Sequence, residues 1–223
     1  MNTNIIKQKD FKPINFNLQH VDLCFNLNNL KTCITNTMNF TDVSGDIYLN
    51  GIDIELISIS LNNKILTPIE YVYDSSKIII PKAPKKSIIK IISHINPSLN
   101  SRLEGLYISD KIFVTQCEAQ GFRRITYFPD RPDVLSTYTV KITGNKNKYP
   151  VLLSNGNLVS KKYIKNNIEV VWNDPFRKPS YLFALVAGKL SQTNRMFITK
   201  SKKKVDLNIW IRKEDKNKIS FAL

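Results

Sequence analysis

Gln116 and Glu118 have the types and the spacing to grip a cation, within the run TQCEAQGFRRITYFPDRPDVLS at residues 115–136. If residues 112–118 are extended, side chains two apart share one face. A carboxylate and an amide oxygen on that face can accept hydrogen bonds from an ammonium group. Charge is dense just beyond, at Arg123-Arg124 and Asp130-Arg131-Pro132-Asp133. A second reading therefore stays open, in which Glu118 pairs with Arg123 or Arg124 and only ties the strand down.

Other chemistry is poorly served. His20 and His94 lie 74 residues apart, neither has a second ligand at i+4, and H-E-x-x-H is absent. On ligand spacing this argues against a metal site within the chain. Ser154 lacks a G-x-S-x-G context, and neither a P-loop nor a G-x-G-x-x-G motif occurs. Cys117 with a distant histidine is a weak nucleophile signal, and a cysteine in a β core is more often a small buried hydrophobe. Gln116 and Glu118 are therefore the better candidates, as acceptors for an ammonium group, with both readings of Glu118 still open.

The bulk numbers set the frame that must position them. The chain has 223 residues, 42% of them hydrophobic, and a net charge of +15. That suffices for a core and argues against disorder. The longest apolar run, residues 181–188, is eight residues long, whereas a spanning helix needs about 20, so a soluble protein is expected. The first residues, MNTNIIKQKDFKPINF, show no secretory signal. Cys24, Cys33 and Cys117 are an odd set without CxxC spacing, as reduced thiols of a cytoplasmic protein would be.

Lysine clusters and twenty Tyr and Phe residues invite a nucleic-acid reading. Ile, Lys and Asn, whose codons are built mainly from A and T, make up 79 residues, while Arg occurs only seven times. Arginine is the bidentate phosphate binder. The charge is therefore read as drift in an A+T-rich genome, and nucleic acid is not the expected partner.

Period-two alternation dominates the chain. Val21, Leu23, Phe25 and Leu27 alternate with polar neighbours, as do Tyr138, Val140 and Ile142, and Val205, Leu207, Ile209 and Ile211. Each pattern predicts a strand with one buried face. Residues 52–61, 71–80 and 87–92 also read as strands, and 182–186, apolar on both faces, as a central one. Turn signals recur at Asn50-Gly51, Asn62-Asn63, residues 74–76 and 145–147, and Asn155-Gly156. A short helix or turn is expected near residues 131–135. No internal repeat or linker appears, so the expectation is one all-β domain over residues 1–223, a curved multi-sheet β-sandwich.

Several ungapped blocks carry a resemblance. They are residues 103–107 (LEGLY), 115–136, 149–157 (YPVLLSNGN), 172–176 (WNDPF) and 178–188 (KPSYLFALVAG). In order and spacing they resemble the N-terminal domain of the bacterial aminopeptidase N family, zinc metallopeptidases of the gluzincin type. The resemblance implies a saddle-like β domain that packs on a thermolysin-like catalytic domain. It also implies that the family's Gln-x-Glu motif corresponds to Gln116-Cys117-Glu118, with the glutamate binding the substrate's free α-amino group and the glutamine lining that pocket.

The family's Gly-x-Met-Glu-Asn and zinc-binding H-E-x-x-H motifs do not occur in residues 1–223. The resemblance thus implies zinc in the full-length enzyme and none held by this chain. Its partners would be a peptide N-terminus and a catalytic domain, either missing or supplied as a separate chain, and the chain alone is expected to be inactive. Two alternatives from other classes stay open: a non-enzymatic β interaction module and a basic nucleic-acid-binding remnant.

Overall fold

The structure is a computed structural model that describes residues 11–74 and 76–219. The signal reading at residues 1–10 and the tail at 220–223 lie outside the described residues.

The largest sheet has eight strands. In spatial order they are β13 (Asn157–Ile164), β14 (Asn167–Lys178), β11 (Ser136–Asn145), β1 (Asn17–Asn26), β2 (Thr32–Thr41), β8 (Ser87–Ile95), β4 (Glu55–Leu61) and β5 (Lys64–Ile65). The β1–β11 pair is parallel, in register from His20 opposite Thr137 to Asn26 opposite Thr143. Its other pairs are antiparallel. A four-stranded sheet runs β12 (Val151–Ser154), β15 (Leu185–Gly188), β10 (Ile112–Gln116), β9 (Gly105–Ser109). A three-stranded one runs β3 (Ile47–Asn50), β7 (Lys77–Ile80), β6 (Val72–Asp74), and β16 (Ser191–Ile198) pairs with β17 (Lys204–Ile211) as a ribbon. The chain is all-β and multi-sheet, as its alternation predicts.

One face of the large sheet is apolar because its strands keep period two. Val21, Leu23 and Phe25 of β1, Ile34, Met38 and Phe40 of β2, and Tyr138, Val140 and Ile142 of β11 are all buried. Asn36 interrupts that row and is itself buried. Its amide donates to the Tyr127 carbonyl at 3.1 Å and to the Thr126 hydroxyl at 3.3 Å. It thereby ties the sheet to the segment that follows the Gln116–Glu118 region, since a buried amide needs such partners.

Local expectations fare unevenly. Asn62 and Asn63 take positive φ, 49° and 67°, and close the β4–β5 hairpin as a turn of that sequence should. Residues 71–80 form two strands, because Asp74 Oδ1 accepts the Ser76 and Lys77 N–H groups at 2.7 and 3.0 Å and turns the chain. Residues 52–54 precede β4, with Asp53 at φ 58°. Residues 180–182 are a short 3-10 turn, and only Leu185 onward enters a sheet, where β15 lies between β12 and β10. β17 is a strand, but its apolar face is not buried: Leu207 is exposed, as are Met196, Phe197 and Ile198 of its partner. Among the described residues no strand of another sheet pairs with the ribbon, and no helix is long and apolar enough to cross a membrane.

Candidate functional site

Strand β10 ends at Gln116, opposite Gly105 at the start of β9. The chain then turns sharply. The Gly121 N–H donates to the Cys117 carbonyl at 2.8 Å, and the Glu118–Ala119 peptide bond is cis. Glu118 therefore stands on a turn and not on an extended strand through residue 118. Two glycines permit the close approach. A Cβ on Gly121 would lie 2.4 Å from the Gln116 carbonyl oxygen, and one on Gly105, at φ +74°, would lie 2.8 Å from Arg124 Cβ.

Gln116 and Glu118 are exposed, and Cys117 between them is buried. Among the described residues, no hydrogen bond or ion pair engages the side chain of Gln116 or of Glu118.

The floor beneath the turn is aromatic. Phe122 opens a 3-10 turn, Phe122–Arg124, and is fully buried. Its ring packs edge-on against Phe128 at 4.8 Å and Phe183 at 5.2 Å between centroids. Rings so arranged add to what their buried area contributes.

Both arginines look elsewhere. Arg123 Nε contacts Asp130 Oδ2 at 3.0 Å, its Nη2 donates to the Asp130 carbonyl at 2.9 Å, and its N–H donates to Oδ2 at 3.1 Å. The other Asp130 oxygen accepts the Ser180 hydroxyl at 2.6 Å, so this buried carboxylate is fully engaged. Arg124 Nε donates to Glu104 Oε2 at 2.8 Å, and its Nη1 pairs with Asp53. Arg131 pairs with Asp133 at 2.7 Å. The reading in which Glu118 merely pairs with Arg123 or Arg124 is thus overturned. Asp53 and Glu104 escape the sequence reading, because Asp53 lies 71 residues and Glu104 20 residues from their partner.

The remaining candidates are structural. Burial, and secondarily the Asp130 charge, pushes the Cys117 thiol far above its ordinary range, so it supplies no thiolate. His20 Nδ1 lies 2.7 Å from the Thr137 hydroxyl, and its Nε2 lies 3.1 Å from that of Thr139. His94 Nδ1 lies 3.3 Å from Glu55. Among the described residues no three His, Cys, Asp or Glu side chains converge as metal ligands. These residues do not fit a zinc site. Gln116 and Glu118 line none of three cavities of about 690, 220 and 720 Å³.

Residues 12–182 match the model of the Peptidase M1 N-terminal domain. The chain is 38% identical to aminopeptidase N of Escherichia coli (strain K12) over 218 residues, which are 96% of this chain and 25% of that protein. It is 40% identical to aminopeptidase N of Caulobacter vibrioides, again over 96% of this chain and 25% of the relative. The crystal structure of Legionella pneumophila aminopeptidase A in complex with aspartic acid superposes with a TM-score of 0.92 at 33% identity. That match covers 97% of this chain and 26% of the other. The M1 zinc metallopeptidase of Deinococcus radiodurans shares the fold, with a TM-score of 0.76 at 15% identity over 89% of this chain and 48% of that one. The chain spans about a quarter of the length of the curated relatives it matches.

Proposed function

The chain belongs to the peptidase M1 N-terminal domain family, and from that premise we propose that it recognises the free α-amino group of a peptide for a zinc aminopeptidase. Glu118 is the anionic anchor and Gln116 the flanking acceptor. The observation that carries this reading is the state of Glu118: exposed, without a partner among the described residues, beside two arginines that are both held by other carboxylates. A free carboxylate next to an amide oxygen suits an ammonium ion.

An exopeptidase must measure where its substrate begins. An ammonium paired with Glu118 does that, whereas an acetylated N-terminus would leave the carboxylate desolvated and unpaired. Bond cleavage and zinc belong, on this proposal, to the catalytic portion of a longer protein or to a separate chain. The chain alone is inactive, and its two histidines are engaged by Thr137, Thr139 and Glu55. Three free thiols support a cytoplasmic setting.

Two measurements test this. The purified chain should hydrolyse no alanyl chromogenic amide and bind no stoichiometric zinc; chelator-sensitive turnover would overturn the inactivity. In an enzyme completed with its catalytic portion, Glu118→Gln should raise KM for free-amine substrates on the order of 30-fold or more, since losing one partner of a desolvated charge pair costs about 2–5 kcal/mol. Unchanged kinetics would remove the amine-binding role.

A further inference from the structure

Arg123 and Arg124 are both kept from Glu118, by unlike means. Arg123 turns inward onto a buried carboxylate, Asp130. Arg124 is held by two acids that stand open to water. The Asp53 and Glu104 side chains are 73% and 53% exposed, against 12% for that of Arg124. The acids come from separate loops. The Ile52 N–H donates to the Arg123 carbonyl at 2.9 Å and brings Asp53 alongside. Glu104 sits between Leu103 at φ 58° and Gly105 at φ 74°, and a left-handed leucine is uncommon.

A guanidinium this little exposed needs partners to offset its desolvation, and the two acids supply them. In doing so they also occupy the donors of a long cation six residues along the chain from Glu118. Arg124 is rooted close to the turn: its N–H donates to the Gly121 carbonyl at 3.0 Å, and its Cβ crowds Gly105, which faces Gln116 across the β9–β10 pair. A guanidinium released there has an unpartnered carboxylate nearby in Glu118. Arginine binds carboxylates bidentately and would displace an ammonium.

The geometry points to Asp53 and Glu104 as positioning residues that set specificity. They sequester Arg124 so that the Glu118 carboxylate stays free for a substrate ammonium. This inference rests on the amine-binding reading of Glu118. Neither acid touches the substrate; both act through Arg124.

The first experiment uses the chain itself, with carbon-13 in its glutamate carboxyls and the Glu118 resonance assigned by its disappearance in Glu118→Gln. In D53N/E104Q the Glu118 resonance should move as Arg124 swings onto it, and in D53N/E104Q/R124Q it should return to its original place. A purely structural role predicts no such return. No movement in the double variant, or a triple variant that stays with the double, would overturn the inference. In the completed enzyme the double variant should raise KM about tenfold, roughly one displaced charge contact, with kcat within about twofold, and the triple variant should restore it. Failure of the underlying amine reading would show separately, as a Glu118→Gln enzyme with unchanged KM.

Discussion

Gly121→Ala should distort the turn that carries Glu118 and destabilise the whole chain, and Gly144→Ala supplies the control. At Gly121 the new Cβ would lie 2.4 Å from the Gln116 oxygen, 3.0 Å from Cys117 Cα and 3.1 Å from the Gly105 nitrogen. All three neighbours are backbone, so no side chain can swing aside. Relief must move the end of β10 or open the Gly121–Cys117 hydrogen bond of 2.8 Å. Overpacking costs about 1–3 kcal/mol, and a lost hydrogen bond about 0.5–1.5 kcal/mol more. At about 2–4 °C per kcal/mol for a chain of this size, melting should fall by about 3–18 °C. Gly144 is also buried, but its added methyl would meet only side-chain atoms, Leu152 Cδ2 at 3.5 Å and Leu27 Cδ1 at 3.7 Å among them. There the alanine should be neutral or stabilise by up to about 1 kcal/mol, through lost freedom of the unfolded chain. Thermal unfolding of both variants by circular dichroism in one buffer decides the matter. Equal losses, or a Gly121→Ala chain that melts with the wild type, would refute the reasoning.

Arg123→Ala strands the buried Asp130 carboxylate and should cost about 3–5 kcal/mol in urea unfolding; Arg123→Ala with Asp130→Asn should recover part of the loss, and a cost below about 1 kcal/mol for the single change would contradict the burial argument. Iodoacetamide at about pH 8, near the ordinary thiol value, should label Cys33 in the native chain, reach half-buried Cys24 more slowly and Cys117 only on unfolding, because burial pushes the Cys24 thiol upward and the Cys117 thiol further; labelling of Cys117 ahead of either would refute this. Glu70 is held down to about 2, first by the Lys64 ammonium and then by the Thr67 N–H and hydroxyl. Its folded value lies below the unfolded one of about 4.3, so its stabilisation is complete above that pH and is lost as pH falls toward about 2. Lys64→Ala should move the NMR titration of Glu70 upward while Thr67 keeps it below the ordinary range, and an unmoved titration would remove Lys64 as the main cause.

What the sequence discloses depends on where the deciding contact sits. Strands β1 and β11 are legible because a period of two with one buried face is a local property, kept over their whole length by Val21, Leu23 and Phe25 and by Tyr138, Val140 and Ile142. The 74–76 turn is legible too, since one aspartate performs it with its own neighbours. The period of β17 is equally plain, but alternation does not say what covers the apolar side, and in this structure Leu207 faces water. At the site the split is sharper. The types of Gln116 and Glu118 suit an ammonium ion, yet the same stretch supplies two arginines that could pair with the carboxylate instead. The choice between a free carboxylate and a neutralised one is made by Asp53, Glu104 and Asp130, two of them remote in the chain, and by Gly105 and Gly121, whose missing side chains let the turn close. A charge pattern read locally counts ions of both signs; only the tertiary fold assigns each cation its partner, and among the described residues both arginines beside Glu118 are assigned elsewhere.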